Sequence, residues 1–237
     1  NRFGFRSSKT LNIYLTHQLK IKGPLLFMKL INQINRLFIK KFDHCWVPDF
    51  ENSLLSGELS DSNLEKIFIG PQTRFKKILE ERKNYKYKYL AIISGPEPQR
   101  SLLEDEIQNC FLKTNEHCAI INGLSNTKEI SAEKITFYPH LETTAFKKLL
   151  AKSELVICRS GYSSIMDLYV LQKKVLFIPT PGQTEQEYLA KYHIKIHSIY
   201  YQKQGRINLE KARFNFIHPK PETKKKLLKV AFDKLGL

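Results

Sequence analysis

Residues Leu155–Ala190 read L-V-I-C-R-S-G-Y-S-S-I-M-D-L-Y-V-L-Q-K-K-V-L-F-I-P-T-P-G-Q-T-E-Q-E-Y-L-A, and this stretch decides which fold the chain can adopt. It opens with Leu155–Cys158, an apolar run whose length and β-branched residues are typical of a buried strand. A second run of this kind, Val175–Ile178, stops at Pro179. The stretch therefore predicts two strands, each followed by a polar turn and a helix.

The two polar turns are the candidate ligand-binding positions. After Arg159–Gly161, either Ser163 or Ser164 can cap a helix that runs to about Gln172, and Thr184 can cap the helix that follows the second turn. In a parallel α/β sheet both turns lie at the carboxyl edge of the strands, where such sheets bind ligands. Two helix N-termini at that edge would present backbone N–H groups and positive dipole ends to an anion.

The pattern R-S-G-x-x-S-x-x-D followed by P-T-P-G-Q-T-E-Q-E-Y-L-A resembles the donor-binding half of GT-B glycosyltransferases, specifically the MurG-type enzymes of family 28 that use UDP-N-acetylglucosamine. In that family the acidic residue six places after the glycine holds the ribose hydroxyls, which implies this role for Asp167. The hydroxyl residue three places after the glycine, here Ser164, lies near the diphosphate. A pair of glutamines contacts the sugar hydroxyls; Gln186 and Glu187 occupy those positions, so one glutamine of the pair is kept.

Both acidic residues also have a structural interpretation. Ser164 with Asp167, and Thr184 with Glu187, have the spacing of a capping box, in which the acid only satisfies a backbone N–H. Two such motifs after consecutive strands, with a P-x-P-G-Q turn between them, favour a nucleotide-sugar site.

The resemblance continues upstream of this stretch. Ile67–Pro71 resembles the family's interdomain connection, and Arg74 matches an arginine that is a candidate for the diphosphate; a surface charge is the alternative. Ser94 and Gly95 open the loop S-G-P-E-P, which stands where the family has G-G-S-x-G. This loop departs from the family pattern, because its two prolines lack the N–H groups that a phosphate cradle uses.

The turn Tyr138–Leu141 follows a short strand, and the equivalent turn of the relatives holds the uracil through its backbone. The predicted nucleotide-sugar site comprises Arg74, Ser94, Gly95, Tyr138, Pro139, His140, Arg159, Ser160, Gly161, Ser163, Ser164, Asp167, Gln183, Thr184, Gln186 and Glu187.

The first part of the sequence predicts a strand over Leu11–Thr16, a helix over Pro24–Phe42 and a strand over Cys45–Val47. In MurG-type enzymes a strand with a His-containing loop, followed by a helix, ends the acceptor-side domain. This implies a catalytic role for His17, for which an ordinary loop histidine is the alternative. We expect the sequence to begin inside that domain and to lack on the order of a hundred residues of it.

The predicted fold is therefore α/β of the GT-B type. Residues 1–70 are expected to be the end of an N-terminal, Rossmann-like acceptor domain. Residues 71–219 are expected to form a Rossmann-like donor domain with a parallel sheet. Residues 220–237 are expected to form a helix that returns toward the N-terminal part.

Composition narrows the set of partners. A net charge of +16 and a pI near 9.6 suit nucleic acid, anionic lipid or phosphorylated substrates. The sequence has no zinc-finger spacing, RNP-like run or Gly-rich basic tail, so we expect no nucleic-acid partner. The four cysteines lack C-x-x-C spacing, which predicts free thiols in a reducing cytoplasm.

Metal chemistry is not expected. The sequence has no D-x-D, the acidic motif by which many other glycosyltransferases hold Mg²⁺ or Mn²⁺. We therefore expect no cofactor besides the UDP-sugar donor. The leaving diphosphate would be neutralised by Arg74, Arg159 and the Gly161–Ser164 turn.

The apolar arc of the helix Pro24–Phe42 is wide and is flanked by Lys29, Arg36, Lys40 and Lys41. It can be a core helix or an interfacial helix on an anionic membrane. No stretch reaches the ~20 apolar residues of a spanning helix.

The resemblance implies an inverting, metal-independent glycosyltransferase that moves a GlcNAc-like sugar from UDP to a lipid-linked or glycan acceptor. It would be cytoplasmic and peripheral at the inner face of the plasma membrane. A UDP-sugar hydrolase or epimerase of the same fold, or the donor-binding subunit of a split glycosyltransferase, are alternatives, since fold alone does not determine chemistry.

Overall fold

A computed structural model describes residues 6–23, 27–75, 84–123, 129–217 and 227–236. The chain divides into two compact units, one formed by Asn1–Gln72 with Pro219–Leu237 and the other by Thr73–His218. Each unit is α/β and has its own sheet.

The first unit has a three-stranded parallel sheet in the order β1-β2-β3. Its elements are β1 Ile13–Leu15, α1 Met28–Ile39, β2 His44–Val47, a 3₁₀ turn Gly57–Ser60, β3 Ile67–Phe68 and, after the second unit, α6 Leu227–Asp233. The two strands and the helix predicted here are confirmed with adjusted ends. Residues 24–26 of the predicted helix, and residues 220–226 and 237 of the predicted final helix, lie outside the described residues.

The second unit has a six-stranded sheet in the order β6-β7-β5-β4-β8-β9, parallel except for β6. Its elements are β4 Tyr87–Ile92, α2 Gln99–Leu112, β5 Cys118–Ile121, β6 Ile130–Ala132, β7 Ile135–Tyr138, α3 Thr143–Lys152, β8 Ser153–Cys158, α4 Tyr162–Leu171, β9 Lys174–Phe177 and α5 Thr184–His197. The chain moves to one side of β4 with β5 and returns to the other side with β8. This reversal is a topological switch point, where open α/β sheets bind ligands.

The core explains why the strands of this unit could be recognised. Leu90, Ala91, Ile120 and Val156 in the three central strands are all 0% exposed. A parallel sheet covered on both faces needs such continuous apolar runs. On one face, β4, β5 and β8 pack against α2 through a cluster that includes Leu103, Ile107 and Phe111.

One local prediction is wrong, and one strand was missed. The run Ile194–Tyr201, apolar with polar interruptions, predicts a strand. Its first half, Ile194–His197, is instead the end of α5, because Leu189, His193 and His197 recur at helical spacing and are buried on one face. The helix ends at Ser198, which has the left-handed conformation that commonly closes helices. The antiparallel strand β6 was not predicted.

The free thiols predicted for the cysteines are confirmed at Cys45, Cys110, Cys118 and Cys158. Within the described ranges, the search for a helix that is long and apolar enough to cross a bilayer finds none.

Candidate functional site

The switch point places the loop after β4 beside the turn after β8, and the turn after β9 lies next to both. Arg159 connects all three. Its guanidinium donates to the carbonyls of Ser94 at 3.3 Å, Gln99 at 2.8 Å, Ile178 at 3.1 Å and Pro179 at 3.3 Å. The predicted segments around Ser94, Arg159 and Pro179 therefore meet at one edge of the sheet.

The role predicted for Arg159 needs correction. Its side chain is among the largest fully buried ones, and the residue is only 2% exposed. Burial lowers the pKa of its guanidinium to about 10, so it remains cationic at neutral pH. Because its donors already serve backbone carbonyls, Arg159 holds the loops together, and direct neutralisation of a diphosphate is not supported.

The start of α4 lies two or three residues before the predicted one. The helix begins at Tyr162 with Gly161 as its N-cap, so Ser163 and Ser164 lie in the first turn and do not cap it. A Cβ added at Gly161 would meet no atom within 4 Å, which indicates open space before the helix. Ser163 is exposed and Ser164 is half-buried. The N–H groups of the first helical turn have no intrahelical partner, so they can donate hydrogen bonds to an anion bound there.

Asp167 is brought together with the segment that begins the second unit. One carboxylate oxygen accepts a hydrogen bond from the Thr73 hydroxyl, and the other lies 3.8 Å from Arg74 Nε. The Arg74 guanidinium stacks over the ring of Phe146 at 4.7 Å. Arg74 and Asp167, predicted separately from distant parts of the sequence, are therefore neighbours.

The surroundings of Asp167 argue against the capping interpretation. Asp167 is the sixth residue of α4, too far along the helix to close a capping box. Burial raises the pKa of its carboxyl, and the Thr73 hydrogen bond and the Arg74 charge oppose that rise. A carboxylate that is 20% exposed and lies beside a cation can still accept bonds from a ligand.

The second turn is built by side chains of α5. Gln183 is the N-cap and Thr184 is the first residue of the helix, so the predicted cap is displaced by one residue. Gln186 Oε1 accepts from the Thr180 N–H at 2.9 Å, and Glu187 Oε1 accepts from the Gly182 N–H at 3.2 Å. These side chains shape the P-T-P-G-Q turn, which supports the structural interpretation for Glu187.

Ser160 and Gln183 complete the links between the two turns. The Ser160 hydroxyl, fully buried, donates to the Gln186 carbonyl at 2.8 Å, and the Gln186 amide donates to the Gln183 side chain. These hydrogen bonds therefore connect the turn after β9 to the segment just before α4.

The remaining predicted donor-site residues lie at the ends of β4 and β7. Gly95 is exposed with φ +115°, a conformation that suits glycine. The Tyr138 hydroxyl bonds the Tyr87 hydroxyl at 2.8 Å, and burial raises its pKa. Pro139 is half-buried and His140 is exposed, so this turn can reach a ligand through its backbone.

His17 belongs to the first unit and follows β1, where it is half-buried. The Gln18 N–H bonds the Thr16 hydroxyl at 3.0 Å, which fixes the backbone on either side of the histidine.

Sequence reasoning missed Thr73, Phe146 and Thr180. For Thr73, the only indication in the sequence was its position next to Arg74, a predicted site residue. The buried Thr180 hydroxyl has no hydrogen-bond partner among the described residues. Those residues also contain no group of three or more His, Cys, Asp or Glu side chains placed to hold a metal ion.

Comparison with known proteins assigns the chain to a family. Residues 78–215, more than half of the chain, match the glycosyltransferase family 28 C-terminal domain. The UDP-N-acetylglucosamine--N-acetylmuramyl-(pentapeptide) pyrophosphoryl-undecaprenol N-acetylglucosamine transferase of Sulfurihydrogenibium sp. (strain YO3AOP1) is 25% identical over 152 residues. That match covers 57% of this chain and 43% of the relative.

The fold agrees with this assignment. The crystal structure of Acinetobacter baumannii MurG superimposes with a TM-score of 0.52 at 13% identity, over 94% of this chain and 57% of that chain. The chain thus spans less than two thirds of either protein. The predicted GT-B type of fold is confirmed, and the chain belongs to glycosyltransferase family 28.

Proposed function

We propose that this chain binds a UDP-sugar and takes part in moving a GlcNAc-like sugar to a lipid-linked or glycan acceptor, with inversion and without a metal ion. The main support for the proposal is that the side chains of Asp167 and Arg74 lie 3.8 Å apart. A nucleoside diphosphate carries ribose hydroxyls next to a dianion, and a carboxylate beside a guanidinium is complementary to that pair of groups. The name of the Sulfurihydrogenibium relative supports UDP-N-acetylglucosamine as the donor.

Each part of the UDP-sugar has its own binding residues in this proposal. Asp167 accepts the ribose hydroxyls, while Arg74 and the first-turn N–H groups at Ser163 and Ser164 face the diphosphate. The Tyr138–His140 turn, with Pro139 at its centre, receives the uracil. Ser94 and Gly95 border the phosphates, and the sugar lies toward the turn that Gln183, Thr184, Gln186 and Glu187 build.

Catalysis requires that charge be stabilised on the leaving UDP and that a proton be removed from the acceptor. Helix N–H groups and Arg74 supply fixed positive potential for the leaving diphosphate. His17 is the candidate general base, because the free ring nitrogen of a neutral imidazole can accept the proton of an acceptor hydroxyl.

UDP is expected to bind at least about tenfold more tightly than ADP or GDP, since one lost base contact of ~1.4 kcal/mol is tenfold in affinity. Calorimetric titration of the full chain with the three diphosphates measures this. Equal affinity for all three would contradict the base assignment. Incubation with UDP-N-acetylglucosamine alone is the control for a hydrolase, which would release free sugar without an acceptor.

We further propose that α1 binds an anionic membrane surface, at the cytoplasmic face of the plasma membrane. Its described residues expose a row of large apolar side chains: Leu30 is 55% exposed, Ile34 is 44% exposed and Leu37 is 64% exposed. A cavity of about 540 Å³ beside the helix is lined by four cations, Lys20, Lys22, Lys29 and Arg36. Apolar side chains flanked by cations are complementary to an anionic bilayer.

Binding to anionic vesicles is expected to fall steeply as salt rises, because the screening length shortens from about 10 Å at 0.1 M to about 3 Å at 1 M. Leu37→Glu should weaken it further by removing apolar burial and adding a repelled charge. Vesicle cosedimentation checks both. Leu102→Glu, at an exposed leucine of α2, is the matched control and should bind normally. Equally strong binding to neutral vesicles, or none to anionic ones, would contradict the proposal.

A further inference from the structure

The carboxylate of Asp167 is held by a residue that no motif had indicated. The Thr73 hydroxyl donates to Asp167 Oδ1 across 94 positions of sequence. Among the described residues this is the hydrogen bond that the carboxylate accepts, because Arg74 Nε at 3.8 Å is beyond hydrogen-bond distance. Thr73 therefore sets the orientation of the group to which we assign the ribose.

Thr73 is itself fixed, so its hydroxyl hydrogen has a defined direction. The N–H of Phe75 donates to the Thr73 hydroxyl oxygen at 3.2 Å. A hydroxyl has one hydrogen, and with its oxygen accepting from Phe75 the hydrogen points to Asp167. Phe75 is 4% exposed and stacks on Phe146 with 6.0 Å between ring centroids, which anchors this arrangement in the core.

The bond from Thr73 leaves room for a ligand. An ionised carboxylate offers about four lone-pair positions on two oxygens, and Thr73 uses one of them. Oδ2 faces Arg74 and accepts no hydrogen bond from the described residues. Two vicinal hydroxyls can therefore bind the carboxylate while Thr73 keeps it in place.

We propose that Thr73 is a positioning residue for the donor nucleotide: its hydroxyl holds the Asp167 carboxylate in the orientation that accepts both ribose hydroxyls. This inference rests on the proposed UDP-binding function. Its consequence is that preference for ribose over deoxyribose depends on Thr73. A residue that only tied two segments together would not affect that preference.

The test measures the affinity of the full chain for UDP and for 2′-deoxy-UDP by calorimetry in the wild type, Thr73→Val and Thr73→Ser. Wild type should prefer UDP by about tenfold, the value of one hydrogen bond to a charged group. Thr73→Val has nearly the same shape but no hydroxyl, and it should weaken UDP about three- to tenfold while changing 2′-deoxy-UDP about twofold or less. Thr73→Ser keeps the hydroxyl and should retain the preference.

Each other outcome overturns the inference. If Thr73→Val lowered the affinities for UDP and 2′-deoxy-UDP equally, Thr73 would only connect two segments of the fold. Tighter UDP binding would show that Thr73 competes with the ribose. If wild type binds UDP with a preference that Thr73→Val leaves intact, the inference fails and the proposed function stands. If wild type does not bind UDP, both fail. Melting curves of all three proteins exclude unfolding as the cause.

Discussion

Asp167→Asn is expected to lower the affinity for UDP roughly ten- to hundredfold. A carboxylate that bridges two ribose hydroxyls makes charge-assisted hydrogen bonds worth about 1.5–3 kcal/mol, and about 1.4 kcal/mol is tenfold in affinity. Asparagine keeps the shape but has one acceptor oxygen and no charge. It therefore loses the attraction to the Arg74 guanidinium, and it can accept hydrogen bonds only through its one amide oxygen. Calorimetry with UDP measures the change.

The same variant separates the functional role of Asp167 from a structural one. The ion pair is long and Arg74 is 44% exposed, so its loss should cost about 1 kcal/mol or less of unfolding free energy. Melting temperature and UDP affinity are measured on one preparation. Asp105→Asn, which removes a charge from the exposed face of α2, is the matched control and should change neither. A lower melting temperature with unchanged UDP affinity would contradict the ribose role.

The sheet of the second unit could be predicted because its strands are covered on both faces. Runs such as Leu155–Cys158 are apolar at every position, and the glycine and hydroxyl residues after them mark where each strand ends. The motif spacing then placed Asp167 on the correct helix. Chemistry that is local in sequence was therefore accessible without a structure.

What could not be predicted depends on contacts between distant segments. Ile194–His197 alternates apolar and polar residues as a strand does, but burial of His193 and His197 along one helix face decides the outcome. The strand β6 is a three-residue edge whose pairing with β7 leaves no periodic signal.

The two arginines show the same limit within the site. Sequence indicated a cation at Arg74 and at Arg159 but not where each guanidinium points. Arg74 is on the surface beside Asp167, whereas Arg159 is buried among carbonyls. The direction of a long side chain depends on the partners that the fold brings to it, and here those partners lie far away in sequence.

Arg159→Lys, which conserves the charge, is expected to be strongly destabilising. The planar guanidinium has five donors in a fixed arrangement and serves four carbonyls of two other segments: those of Ser94 and Gln99 after β4, and those of Ile178 and Pro179 after β9. A lysine ammonium is one point with three donors and cannot reach all of them. The Ile178 and Pro179 carbonyls belong to buried residues, and each buried carbonyl left unpaired costs about 1–3 kcal/mol, so the unfolding free energy should fall by roughly 3 kcal/mol.

At about 2–4 °C per kcal/mol for a chain of this size, the melting temperature should drop by roughly 6–12 °C. UDP affinity should fall as well, because the loops around the proposed diphosphate position lose their common anchor. Arg206→Lys, at an exposed arginine of the same unit, is the control and should melt as the wild type does. If Arg159→Lys melted within about 2 °C of wild type but lost UDP binding, Arg159 would act on the ligand directly, and its assignment as the anchor of the three loops would be wrong.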